Sequence, residues 1–381
     1  MDFYFDNAAT TRVCPEAAEA ALRMMTEEYG NPSATYTLGR NAKTQVDKAR
    51  AQIAAALGCK PETIYFTSCG SEGDNWAILS GARMMRRKGM HVISSQVEHD
   101  AVRRSLDALE KEGFEVTRLA PNACGGIDPE AVEAALRPDT VLVSLMMVNN
   151  ETGAVTDIAA IARLLKKHGS AALLHTDAVQ AFLKVPFRAD KLGADLITIS
   201  GHKIHAPKGI GALYIRSGLK LPPYILGGGQ ERGMRAGTEA VPQIAAFGAA
   251  AEVGAAQAND AHRRMEDIRA HIVTTLSNAL EEPKDIRFIG GGAPHVLSLS
   301  FPGYRSEVLM NFLEARHIYT SKSSACKKGG RSHVLEAMGL PASVIDGALR
   351  ISFSRYTTME EADALCKALL EAHETLFPAL R

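Results

Sequence analysis

The chain has 381 residues, 46% of them hydrophobic, and its 43 lysines and arginines balance its 43 acidic residues. This neutrality argues against tight binding to nucleic acid or to an anionic membrane, because both rest on an excess of positive charge. The composition favours an enzyme acting on small molecules. The N-terminus, MDFYFDNAAT, does not resemble a secretory signal and no apolar run is long enough for a membrane span, so a cytosolic location is expected.

Between about residues 60 and 216, short apolar runs typical of strands alternate with helical patterns. Several runs are apolar on both faces, as expected of strands that helices cover on each side. This alternation predicts an α/β domain with a mainly parallel sheet and right-handed crossovers. The strand-like runs are TIYFTS, HVISS, VLVSLMMV, ALLHTD, DLITIS and GALYIR.

The last third of the chain has a different pattern. An alanine-rich helical stretch follows Pro242, and after it come the strand-like run HVLSLSF, a helix, the strand-like run LRISFS and a closing helix. This pattern indicates a smaller α+β domain. We therefore predict a large α/β domain over residues 15–257 and a small α+β domain formed by residues 1–14 and 258–381.

Polar residues directly after the strands are candidates for a site, because ligands of parallel sheets bind beyond the carboxyl ends of the strands. Gly70 and Ser71 lie between a strand and a helix, where backbone N–H groups and the helix dipole can bind a phosphate. An ordinary capped helix start is the alternative. His99 follows the next strand, although a lone histidine is more often structural or exposed.

Two further strands are followed by residues that could bind a ligand or take part in catalysis. Asp177 and Gln180 follow an apolar strand, where a carboxylate is costly unless it meets a cation such as a pyridinium nitrogen. A helix N-cap is the competing interpretation. Lys203 follows a buried strand and a Ser-Gly-His turn. A lysine in a dry site has a lowered pKa and can act as nucleophile and base, although most lysines after a strand are simply solvated.

The candidate segments together resemble a known family. Their order and spacing are similar to those of the cysteine desulfurases of the NifS/IscS type, which are class V aminotransferases of PLP fold type I. The resemblance extends from YFDNAATT near the N-terminus to FSRYTT near residue 357. The motifs are FTSCGSE, EHDAV, VNNETG, HTDAVQ, SGHKIHAPKGIGALYIR, GGGQERGMRAGT, SSACKKG and RISFSR.

The resemblance implies a seven-stranded sheet and the cofactor pyridoxal 5′-phosphate (PLP). In that family the lysine matching Lys203 carries the cofactor, and the carboxylate matching Asp177 pairs with its pyridine nitrogen. Gln180 would bind the ring oxygen, and His99 would stack on the ring and carry a proton. The implied phosphate ligands are Gly70, Ser71, Ser200, His202 and, from a partner subunit in a homodimer, Thr238.

Two arginines compete for the substrate carboxylate. The resemblance implies that Arg355, aided by Asn150, binds this group, since a guanidinium and a carboxylate form an oriented bidentate pair. Arg350 is the rival for the role, and a surface ion pair is the alternative for Arg355.

Cys326 is the decisive residue of the predicted chemistry. It lies in SKSSACKKGGRS, whose small and cationic residues are typical of an exposed, mobile loop. The following Lys327 and Lys328 favour the thiolate, although a chance surface cysteine is the alternative. The six cysteines show no spacing typical of a zinc site, so no metal is expected.

We therefore expect a PLP-dependent cysteine desulfurase that converts L-cysteine to L-alanine and leaves a persulfide on Cys326 for a sulfur-acceptor protein. Iron–sulfur cluster assembly and tRNA or cofactor thiolation are the pathways open to such a donor. A selenocysteine lyase or another class V lyase or aminotransferase is the second hypothesis. A catalytically silent scaffold is the third. The sequence departs from the family at two places. Cys69-Gly70-Ser71 at the phosphate turn keeps the hydroxyl for phosphate binding and adds a second thiol near the phosphate, and Lys-Lys-Gly-Gly after Cys326 leaves the sulfur acceptor open.

Overall fold

The structure is a computed structural model that describes residues 2–322 and 330–378. These residues form three sheets. In chain order the strands are β1 (Phe3–Tyr4), β2 (Ile64–Thr67), β3 (His91–Ser95), β4 (Glu115–Leu119), β5 (Thr140–Ser144), β6 (Leu173–Asp177), β7 (Leu196–Ser200), β8 (Gly211–Ile215), β9 (Arg287–Ile289), β10 (Val296–Ser300), β11 (Ile318–Tyr319), β12 (Ser321–Lys322) and β13 (Ala348–Ser352).

The α-helices of the described residues lie between and after these strands. They are α1 (Pro15–Thr26), α2 (Thr37–Leu57), α3 (Gly70–Asn75), α4 (Gly81–Met85), α5 (Asp100–Lys111), α6 (Pro129–Ala135), α7 (Ile158–Lys167), α8 (Ala189–Leu192), α9 (Val241–Ala279), α10 (Ser306–Glu314), α11 (His333–Ala337), α12 (Ala342–Asp346) and α13 (Met359–Thr375). A π-helical turn, Trp76–Ser80, joins α3 to α4 without a break. None of these helices is long and apolar enough to cross a membrane.

The large sheet has seven strands in the order β2-β8-β7-β6-β5-β3-β4. β3 to β7 run parallel to one another, and β8 is antiparallel to both of its neighbours. The predicted α/β class and the mainly parallel sheet are therefore confirmed. β4 is the strand that the apolar runs did not reveal. Its sequence, EVTRL, is mostly polar, and it lies at the edge of the sheet, where one flank needs no partner strand.

The central strands are buried on both faces, since every residue of β3, β5, β6, β7 and β8 is buried. Residues from α1, α2, α7, α8 and the first part of α9 form one hydrophobic core against the sheet. Residues from α4 and α5 belong to a second core, which includes Val92 and Leu142 of the sheet. This double covering leaves only the ends of the strands open to ligands.

The small sheet has four antiparallel strands in the order β12-β13-β10-β9. Its own core includes residues of α10, α13 and the second part of α9. The 39-residue helix α9 therefore contributes to both cores, with Ala251 in the first and Ala261 in the second. The domain limits at residues 15–257 stay a prediction, and one continuous helix crosses the predicted boundary.

The N-terminal segment connects the small sheet to the large sheet. Phe5 is fully buried in the core of the small sheet, and the Asn7 amide donates to the carbonyl oxygen of Ser352 on β13 at 3.0 Å. Four residues later, the backbone N–H of Thr11 donates to the carbonyl of His202 beyond β7 at 2.9 Å. The residues between these two attachments consequently lie across the carboxyl edge of the large sheet.

Candidate active site

A cavity of about 310 Å3 lies at the carboxyl edge of the large sheet. Its wall combines residues that follow β2, β3, β5, β6 and β7 with residues of the N-terminal segment and with Arg350 of β13. Nine residues that the sequence predicts to be functional line this cavity: Gly70, Ser71, His99, Asn150, Asp177, Gln180, Ser200, His202 and Lys203.

Lys203 is the last residue of the 3-10 turn Gly201–Lys203 that follows β7. The turn is held to the sheet by Gly201, whose N–H donates to the carbonyl of Ile210 at 2.9 Å. A Cβ at position 201 would lie 2.7 Å from the Cγ2 of Ile210, so only glycine fits this approach. The Nζ of Lys203 donates to the carbonyl oxygens of Ala8 and Ala9, at 2.7 and 2.6 Å. The N-terminal segment therefore fixes the lysine at the cavity wall.

Asp177 is the last residue of β6 and is only 7% exposed. Burial raises the pKa of its carboxyl group, while the electrostatic interaction with His99, an N–H donated by Val179 at 2.9 Å and the charge of Lys203 oppose that shift. Burial also raises the pKa of the neighbouring Asp74, and the charge of Asp177 adds to this effect. A cationic N–H group placed at Asp177 would supply the compensation that a buried carboxylate needs.

His99 caps the start of α5. Its Nδ1 accepts the N–H of Ala101 at 3.2 Å, which leaves the proton of the neutral ring on Nε2. The preceding Glu98 is buried and accepts hydrogen bonds from Ser95 Oγ at 2.6 Å and from the N–H of Met146 at 3.1 Å. Burial raises the pKa of Glu98 to about 8. These bonds hold the turn that presents His99 to the cavity.

The predicted phosphate ligands come together from two turns. Gly70 and Ser71 begin α3, and Ser200 and His202 follow from the end of β7. The Oγ of Ser200 is buried and has no hydrogen-bond partner among the described residues. Desolvation, with a contribution from the charge of Lys203, lowers the pKa of His202 to about 4, so its ring is neutral at pH 7.

The structure places the two arginines that compete for the substrate carboxylate in the linings of different cavities. Arg350 lines the cavity and is 2% exposed, whereas Arg355 lines a separate, smaller cavity that shares Lys203 with this one. Arg350 donates to Asp6 Oδ1 at 2.8 Å and to the carbonyl of Asn150 at 3.0 Å, and its buried Nε has no partner among the described residues. Arg350 lies inside β13 and Arg355 beyond its end, which accounts for their separation.

Another predicted residue, Thr238, is exposed in the single chain and does not line the cavity. Cys326 lies outside the residues that the structure describes. The arginines of the glycine-rich loop are bound within the chain, because Arg235 pairs with Glu72 at 2.8 Å and Arg232 donates to the carbonyls of Glu62 and Ile64.

Sequence reasoning missed four contributors to the cavity wall. Asp74 lies two residues beyond the motif FTSCGSE, and Glu151 stands in VNNETG, so a search of these segments for every acidic side chain would have found both. Ser332 Oγ donates to Glu151, whose pKa is raised to about 7 by burial. Ala8 and Ala9 act through their backbone carbonyls, for which the sequence carries no side-chain signal.

Comparison with known proteins agrees with this geometry. The Aminotransferase class-V family matches residues 3–365. The cysteine desulfurase of Trichormus azollae is 42% identical over 375 residues, which cover 98% of this chain and 93% of that protein. The cysteine desulfurase IscS of Methanosarcina thermophila is 41% identical over 379 residues, which cover 98% and 92%.

Solved structures give the same result. A NifS-like protein superposes with a TM-score of 0.92 at 37% identity and covers 99% of this chain and 100% of its own. The structure of SspA in complex with cysteine has a TM-score of 0.81 at 33% identity and covers 94% and 100%. The chain therefore belongs to the class V aminotransferases and, within them, to the group of the cysteine desulfurases.

PLP is the cofactor of this family, and the donors of the cavity fit it. Asp177 provides a buried carboxylate for a ring nitrogen, and Ser200 provides a buried hydroxyl without another partner. A Cβ at Gly70 would lie 2.8 Å from the Cγ2 of Val179, so the start of α3 approaches the residues after β6 closely. The cavity thus has a polar end near α3, the carboxylate of Asp177 at the end of β6 and the amine of Lys203 in the turn after β7.

The unpartnered hydroxyl of Ser200 gives a test of the phosphate end. We expect Ser200→Ala to weaken PLP retention about tenfold, because a hydrogen bond to a charged group contributes about 1.5–3 kcal/mol. The matched control is Ser298→Ala, since Ser298 Oγ is also buried without a partner but lies on β10, outside the cavity. The measurement is the PLP absorbance that remains after dialysis. Equal losses in both variants would contradict a cofactor contact at Ser200.

Proposed function

We propose that this chain is a PLP-dependent cysteine desulfurase that converts L-cysteine to L-alanine and collects the sulfur as a persulfide on Cys326. The observation that carries the proposal is the single cavity in which Lys203, Asp177, His99 and Arg350 meet. This set supplies a lysine for the cofactor, a carboxylate for its ring and a cation for an amino-acid carboxylate. Bound here, PLP withdraws electrons from the bonds at Cα of an amino acid.

Around that cofactor, each side chain holds or moves a defined group. Lys203 carries the cofactor between turnovers, and its Nζ takes the proton from the substrate Cα. Asp177 keeps a proton on the pyridine nitrogen, and the buried position supports this because a carboxylate there gains most from a cationic partner. Gln180 binds the ring oxygen. The phosphate is held by Gly70, Ser71, Ser200 and His202.

Arg350 binds the substrate α-carboxylate. Its Nη1 and Nη2 are held by Asn150 and Asp6, while Nε has no partner among the described residues and remains to donate. Asp6 also accepts a hydrogen bond from Ser321 Oγ at 2.8 Å, which adds to the rigidity of the cluster. A guanidinium fixed in this way orients the amino acid as well as binding it, and reaction at one Cα–H bond requires such orientation.

His99 acts at the substrate sulfur. Because its Nδ1 is used by Ala101, the protonated Nε2 is the group that exchanges a proton with the substrate thiol. The Cys326 thiolate then attacks the substrate sulfur. A sulfur–sulfur bond forms, the Cβ–S bond breaks, and its electron pair returns to the substrate carbon, which is protonated to give alanine.

The partners follow from the same assignment. We propose a homodimer in which Thr238 reaches the phosphate of the partner subunit, and the exposure of Thr238 in the single chain supports this. The persulfide passes to a sulfur-acceptor protein of iron–sulfur cluster assembly or of tRNA or cofactor thiolation. The cytosolic location stays a prediction. SspA, a relative solved with cysteine, supports cysteine as the substrate.

The two arginines give a direct test of the substrate site. We expect Arg350→Gln to lower kcat/KM for cysteine about 100-fold, because a bidentate charged pair to the carboxylate is lost. Arg355→Gln is the matched control and should stay within about threefold of the wild type. Steady-state alanine formation measures both, and PLP absorbance verifies that each variant retains cofactor. A larger loss of kcat/KM for Arg355→Gln than for Arg350→Gln would show that Arg355 binds the substrate carboxylate.

Replacing the attacking thiol distinguishes a cysteine desulfurase from a selenocysteine lyase, and the behaviour of the wild type distinguishes both from a silent scaffold. We expect Cys326→Ser to abolish alanine formation from cysteine while PLP stays bound, since the hydroxyl cannot accept the sulfur. Cys124→Ser is the control, because Cys124 is an exposed cysteine that lies outside the cavity. Undiminished activity of Cys326→Ser would favour a lyase that needs no thiol. A wild-type protein that neither binds PLP nor forms alanine would favour the scaffold.

A further inference from the structure

A second cavity, of about 30 Å3, lies beside the active site and shares Lys203 with it. It is separate from the residues assigned above to cofactor and substrate, apart from that lysine. No aspartate or glutamate is among its described lining residues. They are Thr11, Leu183, Lys184, Lys203, Ile204, His205, Gly254, Ala261, Met265, Phe353, Ser354 and Arg355.

Lys184 is the first of two cations in this cavity that have no acidic partner. Desolvation is the main cause that lowers its pKa to about 7, and the positive charges of Lys203 and Arg350 lower it further. Its Nζ makes a long hydrogen bond of 3.4 Å to the amide oxygen of Gln180, which is a neutral acceptor. Among the described lining residues, none carries a negative charge that would compensate a protonated Lys184.

Arg355 is the second cation. Its Nε is buried and has no partner among the described residues, and its Nη2 donates to the hydroxyl of Tyr356 at 3.1 Å. A guanidinium stays charged at any pH that the protein tolerates, so it cannot adapt to burial by losing a proton. An unpartnered Nε–H in a cavity with a second cation is a donor suited to an anion.

The two nearby histidines are neutral at pH 7, so they leave the positive charge at the cavity unchanged. Burial is the main cause that lowers the pKa of His205 to about 4, and the charges of Arg355 and Lys184 contribute. The fully buried His295 has two ring nitrogens without a partner among the described residues, and the charges of Lys184 and His262 lower its pKa further. Both rings are neutral at pH 7, so the balance of charge at the cavity is positive.

From these observations we infer that the cavity binds one small inorganic monoanion of the halide class, in contact with Lys184 and Arg355. Burying a charge costs much less free energy when an opposite charge is paired with it. This difference drives the binding of the anion. The size of the cavity limits the anion to a small one, because a volume of about 30 Å3 accommodates one or two water-sized species. A phosphate or an amino acid is too large.

The site is connected to the active-site lysine by a short chain of hydrogen bonds. Lys184 donates to Oε1 of Gln180, whose Nε2 donates to the carbonyl of Ala8 at 2.9 Å. The same carbonyl accepts a hydrogen bond from the Nζ of Lys203. An anion that keeps Lys184 protonated therefore fixes the Gln180 amide with its oxygen towards Lys184 and its nitrogen towards Ala8.

Chloride NMR of the holoenzyme tests the site in solution. We expect a saturable excess line width of the ³⁵Cl signal that bromide displaces and gluconate does not. Lys184→Met and Arg355→Gln should each weaken chloride binding about tenfold or more, because each removes a charged donor. Lys208→Met is the matched control, since Lys208 is an exposed cation outside the cavity, and it should bind chloride as the wild type does.

Diffraction from wild-type crystals grown in bromide locates the anion without any variant. An anomalous bromide peak between Lys184 and Arg355 is the expected result. The inference is overturned if the peak is absent from this cavity, if the line broadening does not saturate, or if Lys184→Met and Arg355→Gln, both folded, bind chloride like the wild type. None of these results depends on the proposed desulfuration, which is measured by alanine formation.

Discussion

A carboxylate at the end of a buried strand requires a cationic partner, and the arrangement around Asp177 meets this requirement. Burial raises the pKa of Asp177, and its electrostatic interactions with His99 and Lys203 act against that shift. Asp177 ends β6, while His99 and Lys203 follow β3 and β7, so the parallel sheet itself brings them to one edge. A protonated ring nitrogen completes the balance of charge, which is why this edge suits PLP.

The N-terminal segment contributes to the wall of the site at this edge. Its carbonyls at Ala8 and Ala9 hold Lys203, and its carboxylate at Asp6 holds Arg350 of the small sheet. One short stretch of chain therefore fixes both the group that carries the cofactor and the group that we assign to the substrate carboxylate. Backbone carbonyls at one point and a side-chain carboxylate at the other thus hold the two groups, which restricts the freedom of an amino acid bound between them.

Much of this site could be predicted from the sequence, because Asp177, Lys203 and His99 each follow an apolar strand that is easily recognised. The different positions of Arg350 and Arg355 could not, since the two stand only five residues apart in the sequence, and only the end of β13 between them places them beside different cavities. β4 was missed because an edge strand needs less apolar sequence. The roles of Ala8 and Ala9 depend on tertiary contacts of the backbone, which side-chain patterns do not encode.

Mass spectrometry of the holoenzyme after brief exposure to L-cysteine tests the central claim most directly, because it detects the transferred sulfur itself. After alkylation and proteolysis without reductant, the account predicts one additional sulfur atom on the peptide that contains Cys326, and none on that peptide when cysteine is omitted. Alanine formed in stoichiometric amount while the Cys326 peptide stays unmodified, or sulfur found on another cysteine alone, would contradict it.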